Sequence, residues 1–185
     1  MKAILSRVGA LVLIFPAMAT GDSFQLSPFM DISTIPAGIA ANFTEVRCVA
    51  VDSAAEEIHA LHLGLPPIVT FDTSTGRYLR GWGTGLVEYP HGCDMRSSSD
   101  DSSFSYVLWV ADGIKDADTN RYGDFTVRVL DTKAESLVRV IGTSGQEGTG
   151  VDPLQFSEVT DVAFTPGGDG KRCLARTPFI PLAVL

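Results

Sequence analysis

From Glu45 onward the apolar residues of this chain come in short bursts rather than at helical spacing. The bursts are "EVRCVAVDS" (Glu45–Ser53), "EIHALHLG" (Glu57–Gly64), "PIVTFDT" (Pro67–Thr73), "GRYLRGWG" (Gly76–Gly83), "YVLWVADG" (Tyr106–Gly113), "FTVRVLDT" (Phe125–Thr132), "SLVRVIGT" (Ser136–Thr143) and "DVAFTPGG" (Asp161–Gly168). Each is rich in Val, Ile, Phe, Tyr or Trp and is bounded by Gly, Pro, Asp, Ser or Thr, the composition of strands between tight turns. No segment sustains a 3.6-residue period, and 18 glycines and 10 prolines would interrupt one. The pattern predicts an all-β chain. Before it, residues 20–44 lack periodicity and read as an irregular lead-in.

The bursts repeat. "PIVTFDTSTGRYLRGWGTG" is answered by "FTVRVLDTKAESLVRVIGTSG"; Asp72 and Asp131 lie 59 residues apart, and so do Gly83 and Gly142. "IHALHLG" is answered by "VLWVADG", and "CVAVDS" by "GCDMRS" and "DVAFTP". Each unit runs inner strand, second strand, third strand ending in Asp, polar turn, fourth strand ending in Gly. A four-stranded unit cannot bury both faces alone, whereas stacked neighbours can, and roughly 40 residues per four strands is the length of a propeller blade. An immunoglobulin-like sandwich is the rival all-β fold, but it does not repeat internally in this way. The expected fold is therefore a partial β-propeller over 45–170, with complete blades at about Cys48–Gly85 and Pro90–Gly145. "SSSDDSSFS" (Ser97–Ser105) and "IKDADTNRYGD" (Ile114–Asp124) read as surface loops. Residues 171–185, with Pro178 and Pro181, lose the pattern and are expected to form a non-repeat, disordered tail. About two and a half blades leave two open flanks, which reads as a truncated product.

Composition narrows the function. A formal net charge of −8 with 14 scattered Lys and Arg excludes nucleic-acid backbone binding. The N-terminus carries Lys2 and Arg7, the short apolar run "VGALVLIF", and small residues in "AMA" (Ala17–Ala19). That is the pattern of a signal peptide over 1–19, cleaved between Ala19 and Thr20, which predicts a secreted or lumenal protein with no stable membrane insertion after cleavage. Export gives meaning to "NFT" at Asn42, an N-glycosylation acceptor.

The blade opening "PHG", "LWVADG", the string "PPIVTFDTSTGRYLRGW" and "IGTSGQEGTGVDPLQF" resemble NHL repeats, closest to the secreted NHL repeat-containing protein 3 type, over about Cys48 to Gly170. The resemblance implies NHL blades, about two and a half of an expected six. It also implies a non-catalytic module for an unknown protein or glycan partner, through loops the sequence does not specify. More distantly, the chain is similar to peptidylglycine α-amidating lyase, a secreted zinc enzyme on an NHL propeller. There His91 matches a zinc ligand, but Leu63 in "HLG" stands where that family has its catalytic arginine, and its other ligands and catalytic tyrosine belong to later blades.

A catalytic zinc needs about three converging protein ligands. His59 and His62 are three residues apart in one strand, so they face opposite sides and do not join His91. No catalytic residue, metal ligand or cofactor is therefore expected, with zinc at His91 only under the lyase alternative. His91 itself is expected to shape the channel mouth. Asp112, before a glycine, is expected to cap a strand-ending turn. "KDADTN" lacks the glycine and distal glutamate of an EF-hand loop, and "GTSGQEGTG" lacks the Lys of a phosphate cradle. Cys48 and Cys93 are placed at equivalent points on neighbouring inner strands. Equivalent residues point in parallel rather than toward each other, and sheets pack about 10 Å apart, which predicts two separate buried thiols, with Cys173 in the exposed tail.

Overall fold

A computed structural model describes residues 29–97, 106–113, 115–116, 121–122, 125–146, 148, 155–156, 159–164, 173–176 and 183–184. The expected cleavage point at Ala19 and Thr20 lies outside the described residues.

The first antiparallel sheet comprises β1 (Val46–Asp52), β2 (Glu57–His62), β3 (Ile68–Asp72) and β4 (Tyr78–Trp82), hydrogen-bonded in that order. Next come β5 (Pro90–Ser97), β6 (Tyr106–Asp112), β7 (Lys115–Asp116), β8 (Arg121–Tyr122), β9 (Thr126–Asp131) and β10 (Ser136–Ile141). Of these, β5, β6, β9 and β10 form the second sheet, while β7 and β8 pair as a small ribbon inside the segment read as a loop. A third, three-stranded sheet follows, of β11 (Asp161–Phe164), β12 (Cys173–Arg176) and β13 (Ala183–Val184). Residues 171–185 thus supply two paired strands where the sequence reading expects a disordered tail; the side chain of Cys173 lies outside what is described.

The two blades repeat at the level of single hydrogen-bonded pairs. In the first, Ile68 faces Trp82, Val69 faces Gly81, Thr70 faces Arg80 and, after a register shift, Phe71 faces Tyr78. In the second, Val127 faces Ile141, Arg128 faces Val140, Val129 faces Arg139 and, after a shift at the same step, Leu130 faces Leu137. Every partner is displaced by 59 positions on both strands, bulge included. The turns explain why particular residue types recur. Asp72 Oδ1 accepts the N–H groups of Ser74 and Thr75 at 2.9 and 2.7 Å, and Asp131 Oδ1 those of Lys133 and Ala134 at 2.8 and 2.7 Å. Asp52 Oδ1 does the same for Ala54 and Ala55 at 3.1 and 2.9 Å. Four residues after each aspartate the chain turns left-handed, at Glu56, Gly76 and Glu135. Only an acceptor side chain at the strand end satisfies those amides locally. Asp131→Ala is expected to lower the unfolding free energy by about 1 kcal/mol, read as an earlier urea midpoint with an unchanged slope.

Packing follows the blade logic. Between the first two sheets Ala50, Leu61, Ile68, Trp82 and Val87 meet Leu108, Val110 and Leu130. Between the second and third lie Ala111, Val127, Phe156, Val159 and Val162. Because both faces of a blade are covered, β2 and β3 are buried along almost their whole length rather than at alternate positions.

The first flank is not open. Residues of the lead-in, including a 3-10 turn (Ile32–Thr34) and α1 (Ala37–Ala40), lay Met30, Ile35, Ile39 and Phe43 over Ala60, Val69 and Phe71. Asp31 N–H donates to the Gly76 carbonyl at 2.8 Å, and Tyr78 N–H to Thr34 Oγ1 at 2.8 Å. A side chain at Gly64 would strike the Asn42 carbonyl, and one at Gly76 that of Phe29. The lead-in is thus a fitted cover for the face that a further blade would otherwise occupy.

Cys48 and Cys93 form a disulfide, with Cα atoms 5.8 Å apart; the expectation of separate thiols is corrected. The ladders give the reason. Ile68 pairs with Leu61 and its counterpart Val127 with Ala111, so Ala60 corresponds to Val110. Val49 lies opposite Ala60 and Cys93 opposite Val110. Cys93 therefore matches Val49, one position from Cys48, and a one-residue step turns a side chain to the other face of its sheet. Cys48 faces the second blade and Cys93 faces back. The first strands of the two sheets pack side by side, well inside the spacing of face-to-face sheets, and their Cα separation lies in the range a disulfide requires.

Candidate functional site

The three histidines go to three different places. Along β2, His59 turns toward Trp82, with ring centroids 6.0 Å apart, and His62 toward Phe43, at 4.7 Å. They occupy opposite faces, as the strand period requires. His91, at the start of β5, is half-buried, and its Nδ1–H donates to the Thr160 carbonyl at 2.6 Å. It ties the second blade to the segment leading into β11, and this inter-blade bond is its principal observed role. Leu63, just past β2, donates its N–H to the Thr44 carbonyl at 3.4 Å. Among the described residues no three His, Cys, Asp or Glu side chains are grouped to hold a metal ion. Among the described residues, His91 is therefore not joined by the further ligands a catalytic zinc needs.

Asp112 accepts backbone N–H bonds as expected, but from a different partner. It is fully buried, and its carboxylate takes the N–H groups of Glu88 at 3.0 Å and Tyr89 at 2.6 Å, the chain just before β5. Its Oδ2 also lies 3.1 Å from Arg128 Nε on β9. The aspartate therefore fixes how the connection from the first blade enters the second. In the first blade the matching positions hold His62 and Val69, so this ion pair has no repeat counterpart there.

A second junction was not legible in the sequence. Arg80 on β4 grips Glu57 with two N–H groups at 2.5 and 2.8 Å, then reaches across to Glu135 at 2.6 Å and the Thr132 carbonyl at 3.2 Å. Glu57 holds the Arg80 guanidinium protonated, raising its pKa further. The clasp roofs a cleft of about 440 Å³ lined by Asp52, Glu57, Thr132 and Lys133. Arg80 is 30% exposed in its side chain, so the clasp contributes on the order of 1 kcal/mol. Each buried Leu or Ile of the neighbouring core contributes about 1.5–3 kcal/mol. Apolar burial holds the blades together, and the clasp orients them.

Behind it lies a buried polar chain. Trp82 Nε1–H donates to Thr70 Oγ1 at 3.0 Å, and Thr70 Oγ1 is 3.0 Å from His59 Nδ1. Burial lowers the His59 pKa to about 4, against the opposing pull of Glu57; His62 is lowered too, again by burial. In the unfolded chain a histidine titrates near 6.5. As pH falls, the unfolded chain takes up the His59 proton first, so stability is full above about pH 6.5 and is lost progressively down to about pH 4. At about 1.4 kcal/mol per pH unit the loss reaches about 3 kcal/mol. Urea unfolding of wild type and His59→Phe across this window checks it; parallel curves would contradict the assignment.

Asn42 is exposed directly after α1, and its Nδ2 donates to the Gly38 carbonyl at 3.0 Å. In the glycine-rich connection, Gly148 N–H donates to the Phe156 carbonyl at 3.1 Å, placing the phenylalanine of "DPLQF" in the core between blades.

Repeated four-stranded antiparallel blades, joined through apolar faces and first strands, define a partial β-propeller. Comparison with known proteins gives the particular kind: the chain is 31% identical over 124 residues to NHL repeat-containing protein 3 of Mus musculus, and 32% over 127 residues to that of Homo sapiens. Both matches cover 66% of this chain and support its assignment to the NHL-repeat family. The chain spans about a third (32%) of the length of these relatives. No family model matches. Among solved structures, hydrazine synthase of Kuenenia stuttgartiensis aligns with 69% of this chain and 28% of its own, at 17% identity and a TM-score of 0.44.

Proposed function

We propose that this chain is a secreted, non-catalytic NHL-repeat module that binds another protein or a glycan through its surface. One observation carries the reading: among the described residues, Arg80, Asp112 and His91 make contacts that join one blade to the next. Export is supported by the leader pattern, by a disulfide of the kind that persists in oxidising compartments, and by an exposed glycosylation acceptor at Asn42. No helix of the described residues is long and apolar enough to cross a membrane.

Metal analysis of the purified chain, with an assay on an α-hydroxyglycine-extended peptide, separates module from lyase. The module predicts less than about 0.1 equivalent of zinc and no turnover, for want of ligands. Stoichiometric zinc that disappears in His91→Ala would restore the enzyme reading. N-terminal sequencing of secreted protein is expected to begin at Thr20, and glycosidase treatment to shift wild type but not Asn42→Gln; an intact Met1 in the cytosol would overturn the export assignment.

A further inference from the structure

We propose that His59 is a proton-operated latch on the junction between the first two blades, in which a charged imidazole draws Glu57 away from Arg80 and slackens the clasp. The geometry supplies each part. His59 is fully buried, and its Nε2 has no hydrogen-bond partner in the structure. That nitrogen lies 3.9 Å from Glu57 Oε2, about 1 Å beyond a charge-assisted hydrogen bond. The same Glu57 oxygen is 2.8 Å from Arg80, which carries the contact across to Glu135 and Thr132. Among the described residues the charges acting on the ring are Glu57 from β2, Arg80 from β4 and Asp52 from β1; Lys133 from the β9–β10 turn lines the cleft beside them, and Glu135 meets Arg80. From β3 the neutral Thr70 faces it.

The proton chemistry balances within this set. Thr70 Oγ1 accepts from Trp82 and, in the tautomer this proposal assigns to His59, donates its own O–H to Nδ1. The neutral ring then carries its hydrogen on Nε2, facing Glu57. An added proton goes to Nδ1, Thr70 turns from donor to acceptor, and the ring becomes a cation whose Nε2–H lacks an acceptor. A buried cation without a partner is costly, and Glu57 is the carboxylate in reach. Asp52 Oδ2, also buried and without a hydrogen-bond partner, adds negative potential at the same spot. The cleft beside Glu57 and Arg80 gives solvent protons a path. Burial holds the ring neutral until the pH is near 4, so the latch answers strong acidification and is closed at neutral pH.

Two readouts test it on the purified chain. The Trp82 indole N–H resonance, identified against Trp109→Phe, reports the Thr70 reversal. The rate at which a phosphine reductant opens Cys48–Cys93, scaled to a small-molecule disulfide, reports loosening of the junction. From about pH 6 to about pH 3.5 the wild-type rate is expected to rise roughly tenfold, as loss of one charge-assisted contact allows, in step with the Trp82 shift. His59→Phe abolishes the step. Glu57→Gln keeps the histidine but removes the acceptor, giving a faster, pH-independent rate; if His59→Phe does not fold, His59→Gln replaces it, and its rate must lose the step as well. A step that persists in Glu57→Gln, or a Trp82 titration without any change in reduction rate, overturns the latch.

Discussion

Replacing Cys48 and Cys93 together by alanine is expected to lower the unfolding free energy by about 4 kcal/mol, the loop-closure term for a cross-link of this span. The bridge ties residues 45 positions apart, so in its absence the unfolded chain gains the freedom of nearly a whole blade. The folded junction should survive, because Leu61, Ile68, Leu108 and Leu130 are buried there independently of the sulfurs. The variant should therefore keep its near-ultraviolet spectrum at low denaturant while its midpoint falls sharply. A loss under about 1 kcal/mol would mean the cross-link constrains little of the unfolded chain.

Asp112→Ala is expected to cost about 3–5 kcal/mol, the range for breaking one side of a buried ion pair. It removes the acceptor of two backbone N–H groups at Glu88 and Tyr89 and the carboxylate 3.1 Å from Arg128 Nε. Asp112→Asn retains an acceptor oxygen for those amides but not the charge, so its loss should fall between wild type and alanine. Equal losses in both variants would assign the whole effect to charge; an alanine loss near 1 kcal/mol would mean that water or another group replaces the carboxylate.

What the sequence shows of this fold depends on how narrowly each position is constrained. The 59-residue repeat was legible because its turns admit few residue types: Asp72 and Asp131 must accept two amides, and Gly83 and Gly142 sit at φ of 87° and 103°. The register of β3 with β4 and of β9 with β10 follows from those fixed points. First strands carry no such markers. Their ladders shift between Val46 and Cys48 and between Pro90 and Cys93, so residue spacing alone places the register there with a slip of one residue. In a strand that slip is the difference between two parallel thiols and a bridge.

Charge geometry was hidden for another reason. Glu57, Arg80 and Glu135 are 23 and 55 residues apart, and beside Arg139, the repeat equivalent of Arg80, the position matching Glu57 holds Val107, so the repeat does not announce the clasp. The lead-in did leave a trace: Ile35, Ile39 and Phe43 recur every four residues. That spacing is too brief for a helix prediction, yet it marks one apolar edge, which the structure lays over Phe71.

The blade junction is the centre of this account, and peptide mapping of unreduced, alkylated protein tests it most directly. The geometry predicts a peptide pair joined through Cys48 and Cys93, converted to two separate peptides only after reduction. Recovery of Cys48 and Cys93 as alkylated free thiols from native, unreduced protein would contradict the register of the two blades and the way their first strands meet.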